Sequence, residues 1–511
     1  MVGIATGLRR ALSTATTATR GAPPAPQPAT SLPTPATDRS DTSVTPARAS
    51  AADQLGARRR FAAAVPVRFA MADVATTVST STATPPPAAP LQFSSDQPSF
   101  VGTVRLGPDG VMELATGVRP YTRSYAQATQ GPLREAHGSA APVSSVLTDD
   151  ERAALAAQAP GVALDRMAAA LGVDGVAFDA MAHSKDFYDP AQKSWWGLCA
   201  QWSWSSLNPR VSRAVDIDGP AGQRGGWLAG QWISRADLGN WAMATSKSFV
   251  EIAMLSASAQ SRGAPTPVDL IKSMSALRAG GPGYIMDVHN DAARGSVETW
   301  NQPVFAARVE QRSVPASVEQ ALLERAAAAG FHGATAKLVT VTPTWGVERA
   351  DDWEGDPAVK QSTWNMYVVA GKDGELQWGA MANDPSLSGI AGLPVTKSDP
   401  PPDYLAMAPT SLIDEAMDQS PYASAHERHP YGKEFNFFMG TVLPNVVPGA
   451  VRTAFETEIA ALPPGAIDAA VATSLAERYG KVANAYSDEQ WQRAFGSRGL
   501  PAQQFGALTR P

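Results

Sequence analysis

The stretch "KSWWGLCAQWSWSSLNP", residues 193–209, holds the only cysteine of the 511-residue chain and four of its 13 tryptophans. Gly197 stands two residues before Cys199, and Asn208-Pro209 closes the run, because the residue before a proline is driven out of helical geometry. This predicts a short buried helix with the thiol at or near its start. Unpaired N–H groups and the macrodipole at a helix N-terminus favour a thiolate, the form in which cysteine attacks. Trp195 and Trp196 precede the turn, and Trp202 and Trp204 lie in the turns that follow. Aromatic walls of this kind would exclude water and shape a site for an acyl substrate. The plain alternative is that Cys199 is a small core residue.

Outward from this helix the pattern is mixed. "LTDDERAALAAQAP" (147–160) predicts a helix capped by Thr148, with acids in its first turn and Pro160 as its stop. "ALDRMAAALG" predicts a second, ending at a glycine. "SFVGTVRLGPDGVMELATG" reads as a hairpin turning at Pro-Asp-Gly. Strand-like runs follow at "YIMDVH", "VETWNQPVFAARVE", "TAKLVTVTPTW" and "STWNMYVVAGKDGELQWGAM", the last turning at Lys372-Asp373-Gly374. Beyond residue 410 "VRTAFETEIAAL", "AIDAAVATSLAERYGKVANAY" and "DEQWQRAF" are helical. Helices, then antiparallel strands, then helices predict an α+β fold rather than a doubly wound sheet.

Residues 1–91 are dominated by Ala, Pro, Thr and Ser, too poor in large apolar side chains to offset ordering entropy, and predict disorder. Residues 92–408 then form the main domain and 409–511 a helical C-terminal region. The hydrophobic content of 44% suffices for a core, and the charged content of 18% is low. A net charge of −6, thinly spread, offers no basic stripe for nucleic acid. A single cysteine excludes an intramolecular disulfide framework and a multi-cysteine metal site. No apolar run is long enough for a membrane span. "RRRFAAAVPVRFAMA" (58–72) comes nearest to a signal peptide, but Arg68 interrupts its apolar part.

A nucleophilic cysteine needs a base and a group that orients it. Only six histidines exist. His137 lies in a polar loop, His426 and His429 in "SAHERHP", and His332 after a helix end. His183 precedes the cysteine and could reach it. His289, in "YIMDVHND", follows Asp287 by two residues, so the two share a strand face about 6–7 Å apart. A direct hydrogen bond between them would require the strand to end or bulge there. Other charged or glycine-rich runs have plainer readings. "DDWEGDP" (351–357) is a solvated acidic turn rather than a cation loop, and Gly280-Gly281-Pro282-Gly283 is a turn rather than a phosphate loop.

"SWWGLCAQWSWSSL" resembles the active-site segment of the transglutaminase elicitor family. "GWLAGQWISRADLGNWAMATSKSF", "GYIMDVHNDAARGSVETWNQPV", "TWNMYVVAGKDGELQWGAMANDP" and "PPDYLAMAP" resemble its later blocks in the same order, over residues 180–408. Trp300-Asn301-Gln302-Pro303-Val304 is the most specific of these matches. The resemblance implies a papain-like or transglutaminase-like core whose nucleophile helix packs on an antiparallel sheet. It also implies a protein-glutamine acyltransferase chemistry, in which a cysteine thioester is resolved by a lysine amine or by water. Cys199 matches the nucleophile and Asp287 the orienting aspartate. His289 is the candidate base, and Trp196, Trp202, Trp300 and Asn301 are candidate substrate-binding residues. No cofactor is implied and a Ca²⁺ dependence is left open. The implied partners are proteins bearing glutamine and lysine, with no nucleic acid and no membrane span. The implied location is secreted or at the cell surface without a recognisable signal peptide, the cytoplasm remaining an alternative.

The chain departs from the pattern in "PTPVDLIKSMSALRAGG". There the family carries a histidine ahead of the aspartate, and this chain carries Asp269 and Leu270. Ala200 replaces the histidine after the nucleophile, Leu376-Gln377-Trp378-Gly379 stands for Gly-Gly-Glu-Trp, and Ala406 replaces a tryptophan. Two further readings therefore stand beside the acyltransferase: a catalytically degenerate binding protein on the same scaffold, and a cysteine (iso)peptidase.

Overall fold

The computed structural model describes residues 89–94, 100, 102–118, 120–121, 126, 128–131, 133–136, 144–192, 197–215, 224–247, 265–287, 300–347, 358–394, 396–403, 405–407 and 430–499. Residues 1–88 of the segment read as disordered, His137, Trp195, Trp196, His289, the 351–357 acidic run, His426 and His429 lie outside the described residues. Residues 89–91 at the end of that segment are described, and the expectation is corrected there, because the buried Leu91 starts a strand. All described residues belong to one unit, residues 83–507.

The strands are β1 (Leu91–Phe93), β2 (Val104–Leu106), β3 (Gly110–Ala115), β4 (Gly225–Leu228), β5 (Gln231–Ser234), β6 (Tyr284–Asp287), β7 (Asn301–Ser313), β8 (Thr335–Gly346), β9 (Val359–Gln361), β10 (Trp364–Ala370), β11 (Leu376–Met381), β12 (Leu405–Met407) and β13 (Val447–Pro448). The helices that bear on the argument are α1 (Asp149–Ala156), α2 (Pro160–Ala170), α3 (Phe178–Ala182), α4 (Cys199–Leu207), α5 (Pro209–Val215), α6 (Arg235–Thr245), α7 (Pro267–Ser273), α8 (Ala316–Ala328), α9 (Gly432–Phe437), α10 (Gly449–Ala461), α11 (Ala469–Tyr479) and α12 (Asp488–Phe495). The fold is α+β, helices packed with antiparallel sheet.

The main sheet runs β11-β10-β8-β7-β6-β12, with β3 added to β7 and β9 to β8. Every pairing in it is antiparallel. β10 explains how it is buried on both faces. Trp364, Met366 and Val368 alternate into one core with Leu270, Ile271 and Met274 of α7 and the 3₁₀ turn after it. Tyr367 and Val369 point the other way, against Val318, Leu322 and Ala326 of α8. Those three recur every four residues, the spacing that makes one apolar stripe on a helix. A third core joins Trp227 and Trp232 of the β13-β4-β5 sheet to α10, α11 and α12.

Several local expectations hold. Thr148 caps α1 in a reciprocal capping box with Glu151. Residues 372–374 turn between β10 and β11, with Gly374 at φ +80°, the left-handed region that glycine enters without strain. Two expectations are corrected. Pro160 does not merely stop α1; it opens α2 at the first helical position, where a missing N–H costs nothing. The Pro-Asp-Gly stretch does not close a hairpin, because β2 pairs with β1 and β3 with β7. The turn's polar groups are claimed by the main sheet instead. Gln311 Nε2 donates to the carbonyls of Gly107 and Pro108 at 2.7 and 2.9 Å, and Lys337 Nζ meets Asp109 Oδ1 at 2.7 Å.

Candidate active site

Cys199 is the first residue of α4 and is partly exposed. Leu198 holds the cap position without a side-chain hydrogen bond, and the first turn carries no acid. Among the described residues, neither a capping side chain nor a first-turn carboxylate offsets the positive end of this helix dipole.

The helix face toward the sheet is built from small residues. Cys199, Ser203 and Ser206 fall at i, i+4 and i+7, so they share one side. Ser203 and Ser206 are fully buried. Ser203 Oγ donates to the Asn301 carbonyl at 2.8 Å, and Ser206 Oγ turns back to the Ser203 carbonyl at 3.0 Å. Such short side chains let α4 lie close over β6 and β7. A Cβ on Gly283, just before β6, would fall 2.8 Å from Leu207 Cδ2 at the far end of the same helix.

That placement brings three of the sequence-predicted residues together. Asp287, the last residue of β6, pairs in register with Asn301, the first of β7. Both are buried, 3% and 5% exposed, which removes them from the reach of bulk water. Asn301 Nδ2 donates to Cys199 Sγ at 3.1 Å. Asp287 Oδ1 accepts from the Trp300 backbone N–H at 2.9 Å. His289 lies outside the described residues.

The other candidates are placed differently. Trp202, expected to line the site, is wholly buried in the core beneath α4, and its Nε1 donates to the Tyr121 carbonyl at 3.1 Å. A ring with no exposed surface packs the helix rather than meeting a substrate, which corrects that expectation. Trp300 is half-buried at the entry to β7. Trp196 is outside the described residues. His183 does not reach the thiol: it ends α3, half exposed, with Nδ1 2.9 Å from the Asp179 carbonyl and 3.7 Å from Asp179 Oδ1. His332 sits exposed in the turn after α8. Where a histidine was looked for ahead of Asp287, Asp269 is spent on a capping box with Thr266, and Leu270 is core. Among the described residues no group of three His, Cys, Asp or Glu side chains is placed to hold a metal ion, and no helix is long and apolar enough to cross a membrane.

Two contributors escaped the sequence reading. Ser203 was open to discovery, since it lies one helical turn after Cys199. Tyr121 was not: its hydroxyl meets Ser205 Oγ at 2.5 Å and its carbonyl holds Trp202, and no local spacing links it to α4.

No family model matches the chain, and no curated protein matches it. Among solved structures the chain is similar to the GP42 transglutaminase from Phytophthora sojae. The identity is 14%, the match covers 58% of this chain and 83% of that one, and the TM-score is 0.34. A likeness of that size fixes neither family nor chemistry, so the functional reading rests on the geometry around Cys199.

Proposed function

We propose that the chain is a cysteine-dependent acyltransferase of the transglutaminase type, built on a papain-like core. One observation carries this reading. A partly exposed thiol opens an uncapped helix, and the buried Asn301–Asp287 cross-strand pair stands against that helix, with an amide donor on the sulfur. An ionised Cys199 attacks the carboxamide carbon of a glutamine side chain. The C–N bond breaks, the departing nitrogen takes a proton and leaves as ammonia, and a thioester remains. A primary amine then attacks the thioester, the C–S bond breaks, and the thiol is regenerated beside an isopeptide bond; water in place of the amine gives glutamate. Asp287 takes the role of orienting the base, and His289 that of the base.

The test is intact-mass analysis of a glutamine-containing protein incubated with the chain and a small primary amine. Amine incorporation with loss of ammonia, absent in Cys199→Ala, supports the reading. Cleavage without incorporation supports an (iso)peptidase. A second reading, a binding protein on the same scaffold, is favoured by one fact: the two described histidines are engaged or exposed elsewhere. No covalent change in any protein substrate, with every binding effect kept by Cys199→Ala, selects it.

A further inference from the structure

We infer that Asn301 is the donor that holds the Cys199 sulfur in its ionised form and fixes its direction, rather than a residue that binds substrate. The inference rests on the reading of Cys199 as the nucleophile and adds the group that prepares it.

Asn301 is 5% exposed, and its Nδ2 lies 3.1 Å from Sγ. Its backbone is fixed from two sides. β6 pairs with it through Asp287, and Ser203 of the nucleophile helix donates to its carbonyl at 2.8 Å. Strand and helix therefore locate the amide relative to the sulfur without help from a bound molecule. The other end of that amide, Oδ1, is buried and has no hydrogen-bond partner among the described residues. A buried carbonyl left unmatched is costly, and such groups persist in folded proteins where function needs them.

An amide can face a sulfur in two ways. With the carbonyl inward it accepts from a neutral S–H; with the NH₂ inward it donates to S⁻. The second arrangement is the one found here, and a hydrogen bond to the charged form of a group favours that form. It acts with the uncapped start of α4 on the same atom. The thiol is partly exposed while Asn301, Asp287 and Ser203 beside it are buried.

The test reads the sulfur and not turnover. Alkylation of Cys199 by iodoacetamide is followed as a function of pH in the full chain and in Asn301→Leu, which keeps the shape and removes the donor. The wild-type midpoint is expected below the free-thiol value of about 8.5. Asn301→Leu should raise it by about one pH unit or more, with a roughly tenfold slower reaction below the midpoint. Should the Leu variant not fold, Asn301→Ser keeps a polar strand start, withdraws the amide, and should give the same upward shift. Equal midpoints in wild type and a folded variant overturn the inference, even where the melting temperature falls, because a purely structural role moves stability alone. A wild type that shifts as expected yet transfers no acyl group leaves Asn301 its role and removes the acyltransferase reading.

Discussion

Two buried polar centres in this chain are built on opposite plans. In the C-terminal core Arg452 and Glu456 of α10 form an ion pair at 2.8 Å, 1% and 6% exposed. Each arm of it is used. Arg452 also donates to the Ala485 carbonyl and to Ser144 Oγ, and its guanidinium lies 3.9 Å from the Trp227 ring centre and 4.3 Å from that of Tyr486. Glu456 accepts from the hydroxyls of Ser144 and Tyr486 and from the Ser145 N–H. Burial, with Glu456 close by, pushes the Tyr486 hydroxyl well up from its usual range. At Cys199 the sulfur is partly exposed, and the amide that touches it leaves its own oxygen unmatched among the described residues. A network in which each buried polar atom has a partner locks packing; one with spare capacity beside solvent is suited to react.

The sharpest way to break this contrast is Arg452→Ala. It leaves Glu456 charged and buried without its counter-ion, which should cost about 3–5 kcal/mol. The check is a denaturant midpoint shift at unchanged slope. Replacing both partners, Arg452→Met with Glu456→Leu, should recover only part of that loss. A buried pair exchanged for apolar side chains is often neutral, but here Ser144, Ser145 and Tyr486 would lose their acceptor. Full recovery would mean that the hydroxyls find other partners and that the network is less interlocked than its geometry implies.

The same cut at the other centre should be milder. Asp287→Ala removes the acceptor of the Trp300 N–H, expected to cost about 1–3 kcal/mol, since the donor is only half-buried and can turn to water. It should also remove acyl transfer. A loss of activity with stability held would mark Asp287 as an orienting group, and the reverse would mark it as part of the strand junction. Ser203→Ala, which keeps the small face of α4 and deletes one neutral hydrogen bond to Asn301, should cost about 0.5–1.5 kcal/mol. Urea unfolding followed by tryptophan fluorescence measures both.

These two centres were unequally legible in the sequence. α4 could be read because its stop, Asn208-Pro209, and its start near Gly197 are local signals, and the β10–β11 hairpin because Asp373-Gly374 sits between alternating runs. The meeting of Cys199 with Asn301 and Asp287 rested on resemblance alone, since nothing in the spacing says which strand α4 will cross. Trp202 was misplaced because a helix near its first turn has both a sheet side and a core side, and periodicity without a partner does not tell them apart. The Arg452 centre left no trace. Its arginine and glutamate at i, i+4 look like a surface pair, and only the packing of α10 against Trp227 and Tyr486 buries them. The failed β2–β3 hairpin has the same cause. A good turn was present, and a longer-range competitor, β7, offered β3 six residues of register.

The smallest expected effect supplies the control for the first. Arg493 on α12 meets Glu151 on α1 at 2.7 Å, another arginine–carboxylate pair in the same part of the chain, but one about a third exposed on each side. The Arg493 guanidinium above all holds the Glu151 carboxyl below its ordinary value of 4.5; burial opposes it, and the Thr148 N–H and hydroxyl add to the lowering. A carboxyl whose folded value is depressed contributes stability that is present above its unfolded value and lost as pH falls through the folded one. Glu151→Gln keeps an acceptor for the capping box and removes only the charge. It should therefore cost no more than about 1 kcal/mol at neutral pH. The gap between the two proteins should narrow as pH drops through and below 4.5, and it should shrink in high salt, because exposed pairs are screened. Melting curves across that range decide it. If the exposed pair proves as costly to break as Arg452–Glu456, then pairing itself, and not burial without an alternative partner, sets the strength of the C-terminal centre. The contrast with the partly exposed thiol would then lose its physical basis.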